Sequence, residues 1–384
     1  MGQRTSTIHF PLRGLSLSFG TAGRETTRGG IAGVLVISLF LAGAPAAQAA
    51  VVSAASCAQA DVQAAVNAAS DGDTVLVPAG SCTWDSKLPL TKKISVIGAG
   101  ADNTIIGGHG FDAVNGTNNW RISGFTFSSS TVALAMQVAA ARSSIGCRNF
   151  RIDNNKFIGY GQSIQVDGHS TGVIDHNQFL RNSGEGIYVF GDDESAWTRD
   201  TGLGTGDFVF IEDNTFDTNG VNNGHFILVN YGGRMVVRFN TMKESGGGYS
   251  AAWIDSHGYC HGSLDRGTRA IEIYGNKLIR NYNGCCRGLF LRGGTGVVYD
   301  NIFDETNGKF LWGSIYSPIF FVEYRASQWA GTKTTCSATC STSQWCSTGL
   351  GGEGAPCCDQ IGRGKDHQDE PLYLWTNKDQ NNAA

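Results

Sequence analysis

Residue types able to transfer a proton and to recognise a charge fall close together late in the chain. Asp255 and His257 follow the short run Trp253-Ile254, and Arg292 ends the next such run, Leu289-Phe290-Leu291. If both runs are strands on neighbouring coils of a stacked array, Asp255 and Arg292 stand about 4.8 Å apart, the spacing of paired strands. One reading of that pair is a structural ion pair. The other is chemical: an arginine that neutralises a substrate carboxylate, or itself takes a proton, beside a histidine whose ordinary pKa lies near neutrality. Neutralising a uronate carboxylate and removing the adjacent C5 proton are the two acts of a β-elimination. Glu323 ends a third run, Phe320-Phe321-Val322. It would lie two coils from Asp255, about 9.6 Å on the strand spacing, near the carboxylate separation of inverting glycosidases, so hydrolysis is open as well. The candidate catalytic set is Asp255, His257, Arg292 and Glu323.

Similar runs occur upstream: Ile164-Gln165-Val166-Asp167, Ile187-Tyr188-Val189-Phe190 and Ile227-Leu228-Val229-Asn230. Alternate residues of a strand share a face. With Val166, Val189, Val229, Ile254, Leu291 and Val322 inward, the outward face carries Asp167, Tyr188, Phe190, Asn230, Trp253 and Phe290. Aromatic rings interleaved with polar groups suit sugars, so these six are the expected substrate-binding residues. A surface packed under loops is the alternative. Asp192-Asp193-Glu194 offers hard oxygen ligands and makes Ca2+ a candidate cofactor, against a solvated acidic loop whose spacing is not that of an EF-hand. His257 and His261 flank Cys260, but a disulfide from Cys260 to Cys285 or Cys286 is preferred over zinc.

The elements that must position these residues follow from a repeat. Six segments share a β-branched residue, two variable residues, Asn, any residue and a large apolar residue. They run from Ile152, Ile174, Ile211, Val237, Ile273 and Val298 and place Asn155, Asn177, Asn214, Asn240, Asn276 and Asn301 in one column. A weaker copy from Ile122 has Phe125 in the Asn place. One buried Asn per unit can turn the chain and bond its counterparts one coil above and below. The expected fold is therefore all-β, a right-handed parallel β-helix. The interval from Phe157 to Phe179 fits one bare coil; longer intervals put insertions at 180–208 and 243–269, on a face that in repeat proteins is often the binding face.

Residues 61–69 place Val62, Ala65, Val66 and Ala69 on one helical face, an amphipathic cap for the open end of the solenoid. Of eleven Cys, the preferred pair is Cys57–Cys82, which would clip that cap to the first strands. Residues 1–49 read as a signal peptide: Arg24 and Arg28 precede the apolar run Ile31–Ala44, and Ala47-Gln48-Ala49 resembles a cleavage site. The expected organisation is signal 1–49, β-helix 50–325, and a Cys-rich segment 326–384 with an incomplete last coil at Leu372–Asn377. A net charge of −4 provides no basic footprint for nucleic acid. No mature segment is apolar for long enough to cross a bilayer. The expected product is a secreted, periplasmic or cell-surface monomer.

The opening DVQAAVNAASDGDTVLVPAG, the Asn-ended coils and the segment RGLFLRGGTGVVYDNIF (287–303) resemble the secreted parallel β-helix proteins of the pectate-lyase-like superfamily. The resemblance spans roughly 57–325 and implies the fold and a polysaccharide partner. It implies no catalytic residue. Of the polygalacturonase motifs, Gly108-His109-Gly110 stands in too early a coil, Asp192-Asp193 matches only the paired acids, and Arg-Ile-Lys is absent. The function expected is cleavage of acidic polysaccharide, by a lyase in preference to a hydrolase. The alternative is a non-catalytic carbohydrate-binding solenoid or adhesin.

Overall fold

The chain coils through three parallel sheets of eleven, ten and nine strands among the described residues. The computed structural model describes residues 49–258, 266–281, 287–307, 320–322, 361, 362, 364 and 369–379; of the side chains at 194 and 320–322 nothing is described. One turn of the coil runs from Val209–Glu212 in the first sheet to Thr215–Asp217 in the second and Asn223–Asn230 in the third. It re-enters the first sheet at Arg234–Arg238, which pairs in parallel with the strand it started from. This is the expected right-handed parallel β-helix.

The Asn column sits between the first and second sheets. Each Asn backbone N–H donates to the Oδ1 of the Asn one coil on, as in Asn177 to Asn214 at 2.9 Å, and each Nδ2 donates to the same oxygen, here at 3.0 Å. The ladder starts at Phe125, whose N–H donates to Asn155 Oδ1, and reaches Asn377, which accepts from Asn301. Phe is tolerated at the start because only its backbone donor is needed there. The residue before each ladder position is left-handed: Gly124, Asn154, His176, Asp213, Phe239, Gly275, Asp300 and Thr376. That conformation makes the sharp corner, and Asn, Asp and Gly adopt it at least cost.

The large apolar residue of each repeat points inward. Phe127, Phe157, Phe179 and Phe216 stack face to face down the second sheet, with centroids 5.3, 5.2 and 4.6 Å apart. The first sheet contributes Ile122, Ile152, Ile174, Ile211, Val237, Ile273 and Val298, all fully buried.

The cap helix spans Gln59–Ala68 and buries Val62, Ala65 and Val66. Lys92 Nζ donates to the carbonyls of Val66, Asn67 and Ala69, a cation satisfying the helix's last acceptors. Cys57 and Cys82 form the expected disulfide. Cys147 is buried and reduced. The other eight cysteines, including those expected to pair with Cys260, lie outside the described residues.

Candidate functional site

The third sheet carries two outward columns. In the first, Gln165, Tyr188, Leu228, Asp255 and Phe290 pair coil to coil. In the second, Phe190 pairs with Asn230, the N–H of His257 bonds to Val229 O, and that of Arg292 bonds to Ser256 O. Asp167 begins this second column, its N–H on Val138 O. The register differs from the expected one by two residues, since Ser256, not Ile254, pairs with Val229 and Leu291. A two-residue shift preserves the face. Asp255 therefore still points outward, but Arg292 reaches it diagonally from the next coil.

That contact is a fork. Arg292 Nε and one terminal nitrogen donate to the two oxygens of Asp255 at 3.1 and 2.5 Å, with side-chain exposures of 3% and 0%. Burial alone would raise the Asp255 pKa. Arg292 first, then His225, reverse that, and the carboxyl stays below its usual range. His225 Nε2 lies 3.3 Å from Asp255 Oδ2, and its Nδ1 lies 3.5 Å from Glu185 Oε1 on the preceding coil. His257 is half-buried beside this pair. Desolvation, reinforced by Arg292, pushes its pKa down to about 4, and its Nδ1 lies 2.5 Å from Gly258 O. A carbonyl only accepts, so Nδ1 carries the proton and Nε2 the lone pair.

Aromatic and amide groups flank the cluster. The rings of Tyr188 and Phe190 are 4.4 Å apart, and Phe190 meets Tyr231 edge-on at 4.8 Å. Burial raises the Tyr188 pKa, and Glu185 and Asp255 push it the same way, so the phenol keeps its proton. Phe290 is buried beneath two guanidiniums, with Arg287 and Arg292 at 4.1 and 4.2 Å from the ring centroid. Asp167 accepts from Gln137 and Gln165. Asn230 is buried, and its Oδ1 has no hydrogen-bond partner among the described residues, an uncommon state for a buried acceptor.

Several expectations are corrected. Trp253 does not face outward. It is fully buried in the core, its ring 5.6 Å from Phe226, with Nε1 donating to Glu244 Oε1. The alternation fails at the start of these strands, where Phe226 with Ile227 and Trp253 with Ile254 are consecutive core residues. Asp192 and Asp193, expected as cation ligands, are paired with arginines instead. Both oxygens of Asp192 are held by Arg199 at 2.8 and 2.5 Å, and Asp193 is bridged by Arg142 at 3.1 Å. The charges of both carboxylates are thus met by guanidiniums. The Glu194 side chain, Glu323 and His261 lie outside the described residues, and among those described no three His, Cys, Asp or Glu converge to hold a metal. Glu185 and His225 were missed in the sequence. Their only trace is an acidic and an imidazole residue each standing two positions before the β-branched run, at Ile187 and Ile227.

No family model matches the chain, and no curated protein does. Solved structures similar to it include an alginate lyase from Paenibacillus sp. str. FPU-7, 16% identical, covering 66% of this chain and 95% of that one with a TM-score of 0.43. The A-module of the Azotobacter vinelandii mannuronan C-5 epimerase AlgE6 is 13% identical, covers 65% and 84%, and scores 0.38. A PL6 family polysaccharide lyase from Pseudopedobacter saltans is 12% identical, covers 87% and 93%, and scores 0.33. Overlaps of this extent assign no reaction and no residue roles.

Proposed function

We propose that this protein acts on polysaccharide at the outward face of the third sheet and cleaves uronate-containing chains by β-elimination. The observation that carries the reading is a neutral imidazole, His257, with its lone pair on Nε2, beside a guanidinium, Arg292, fixed by the Asp255 fork. The guanidinium lowers the cost of charge building on the uronate carboxylate, and the imidazole takes the C5 proton. Tyr188 and Phe190 supply apolar ring surface for a sugar face. The export features of residues 1–49, together with the Cys57–Cys82 disulfide, fit a secreted protein.

The near-complete burial of Asp255 and Arg292 favours a second reading, a carbohydrate-binding solenoid in which that pair is structural. The deciding experiment incubates the protein with alginate, pectate and other uronate polysaccharides, with and without Ca2+, and follows ultraviolet absorbance and new reducing ends. Rising absorbance is the unsaturated product and is the expected result. Saccharide affinity with neither signal would replace cleavage by binding.

A further inference from the structure

Two guanidiniums meet beneath the first insertion. Arg199 lies within it, and Arg234 opens the first-sheet strand Arg234–Arg238. Their terminal nitrogens are taken. Arg199 forks onto both oxygens of Asp192, and Arg234 donates to Asp207 and to the carbonyls of Ala196 and Asp200. The Nε of each, by contrast, is buried and has no hydrogen-bond partner among the described residues. Arg234 as a whole is only 7% exposed. A buried donor is usually paired, so two orphaned N–H groups on neighbouring side chains call for an acceptor.

The carboxylates beside them are already engaged. Asp192 is held at both oxygens, and Asp207 meets His169 Nε2 with one oxygen and Arg234 with the other. Burial pushes the Arg234 pKa down. Asp207 opposes that shift, and Arg199 and Arg269 reinforce it, so the guanidiniums repel one another in a poorly hydrated place. Arg199 and Arg234 both line one cavity, which is walled also by His169, Phe190, Asp207 and Gly232. It has room for about one water-sized particle. That is too small for a carboxylate or a phosphate. A halide is a single atom, accepts N–H bonds from any direction and brings no hydrogens that need acceptors of their own.

We propose that this cavity is a halide site, in which Arg199 Nε and Arg234 Nε donate to one chloride ion. The ion ties the insertion, through Arg199, to the first sheet, through Arg234, and offsets the repulsion between the two guanidiniums. A water molecule satisfies the same donors without the charge, and the two occupants differ in what chloride does to stability. The site is independent of the reaction proposed for the third sheet.

The test titrates the unaltered protein with sodium chloride, exchanged for sodium gluconate so that ionic strength stays constant, and reads Tm together with the chlorine NMR line width. Tm is expected to rise and to saturate, by about 2–4 °C at a tenfold excess over Kd. The chloride line is expected to broaden with protein and to narrow again as bromide competes. Arg199→Lys keeps the charge and loses the Nε donor at a side chain that is 29% exposed, so it should fold and lose about tenfold or more in chloride affinity. Arg121→Lys, elsewhere on the first sheet, should leave the chloride response unchanged. Equal Tm in chloride and gluconate overturns the site and leaves water in the cavity. A rise that never saturates also overturns it, as a general salt effect. So does an unchanged response in Arg199→Lys, which puts the ion elsewhere. If Arg199→Lys does not fold, the line width of the unaltered protein decides: broadening reversed by bromide supports the site, and no broadening overturns it.

Discussion

At the residue scale, the chemistry of this face depends on which protons burial allows. Asp255 has no exposed surface and remains a carboxylate because Arg292 forks onto it. His257 lies beside that guanidinium in a poorly hydrated position, so the folded state disfavours its charged form. The consequence for stability has a definite sign. The folded pKa, about 4, lies below the ordinary value of 6.5, so between these pH values the unfolded chain binds a proton that the folded chain refuses. The contribution is intact above 6.5 and is lost as pH falls toward 4. Urea titrations across that window should show the unaltered protein losing stability more steeply than His257→Gln. Parallel pH curves for the two would show that His257 is not held neutral.

At the element scale, coils are joined by the Asn ladder and insertions are pinned by ion pairs. Asn214 accepts from the backbone and side-chain amides of Asn177, and its own Nδ2 donates to Asn240 Oδ1 and to Ile174 O. Asn214→Ala strands donors that have no water to turn to. Each buried orphan costs about 1–3 kcal/mol, so we expect a loss of about 3 kcal/mol or more in chemical denaturation. Asn377 is partly exposed at the end of the ladder, and its substitution by Ala should cost clearly less. Equal losses would mean that the ladder adds nothing beyond local turn geometry.

The first insertion is fixed by a relay. Arg148 can only donate to His169 Nδ1, at 2.8 Å, so Nε2 carries the hydrogen and donates to Asp207 at 2.7 Å, whose other oxygen holds Arg234. This pins 191–208 to first-sheet strands, which carry Arg148 and Arg234. Within that segment, Asp192 is held by Arg199 and Asp207 by Arg234.

At the scale of the whole molecule, the faces differ in how they use aromatic rings. On the first sheet, Tyr274, Tyr299 and Trp375 stack on one another at 4.7 and 4.5 Å with nearly parallel planes, so their flat faces are spent on each other. Arginines there are matched by acids, Arg121 with Asp153, Arg151 with Asp175, and Arg238 with Glu212. On the third sheet, Tyr188 and Phe190 meet at 58° and Phe190 and Tyr231 at 82°, and the strands that carry them pair with those of Asp255 and Phe290. An oligouronate should therefore slow amide hydrogen exchange in 185–190, 223–230 and 250–256 while leaving the first-sheet strands unchanged. Protection confined to the first sheet would move the binding face to the other side of the solenoid.

How much of this was legible in the chain follows from range. The Asn column, the inward Phe stack and the cap helix recur at fixed intervals and act on nearest neighbours, so Asn155 to Asn301, Phe157 to Phe216 and Val62 to Val66 could be placed from spacing alone. Alternation put Asp255 and Arg292 outward for the same reason. Pairing register is different. It depends on insertions of unequal length between coils, which no local pattern measures, so the column containing Asp255 was displaced by two residues. Trp253 turned inward because the start of its strand packs on Phe226 and Glu244. Glu185 and His225, forty residues apart, meet only because two coils stack in register. The acids at 192 and 193 were visible as charges, but the arginines that neutralise them come from Arg199 and from the distant Arg142. The sequence by itself determined the coil, its ladder and the face that points out. Tertiary structure alone decided which charges meet on that face, because a salt bridge acts over a few ångströms while the chain between its partners is free to be of any length.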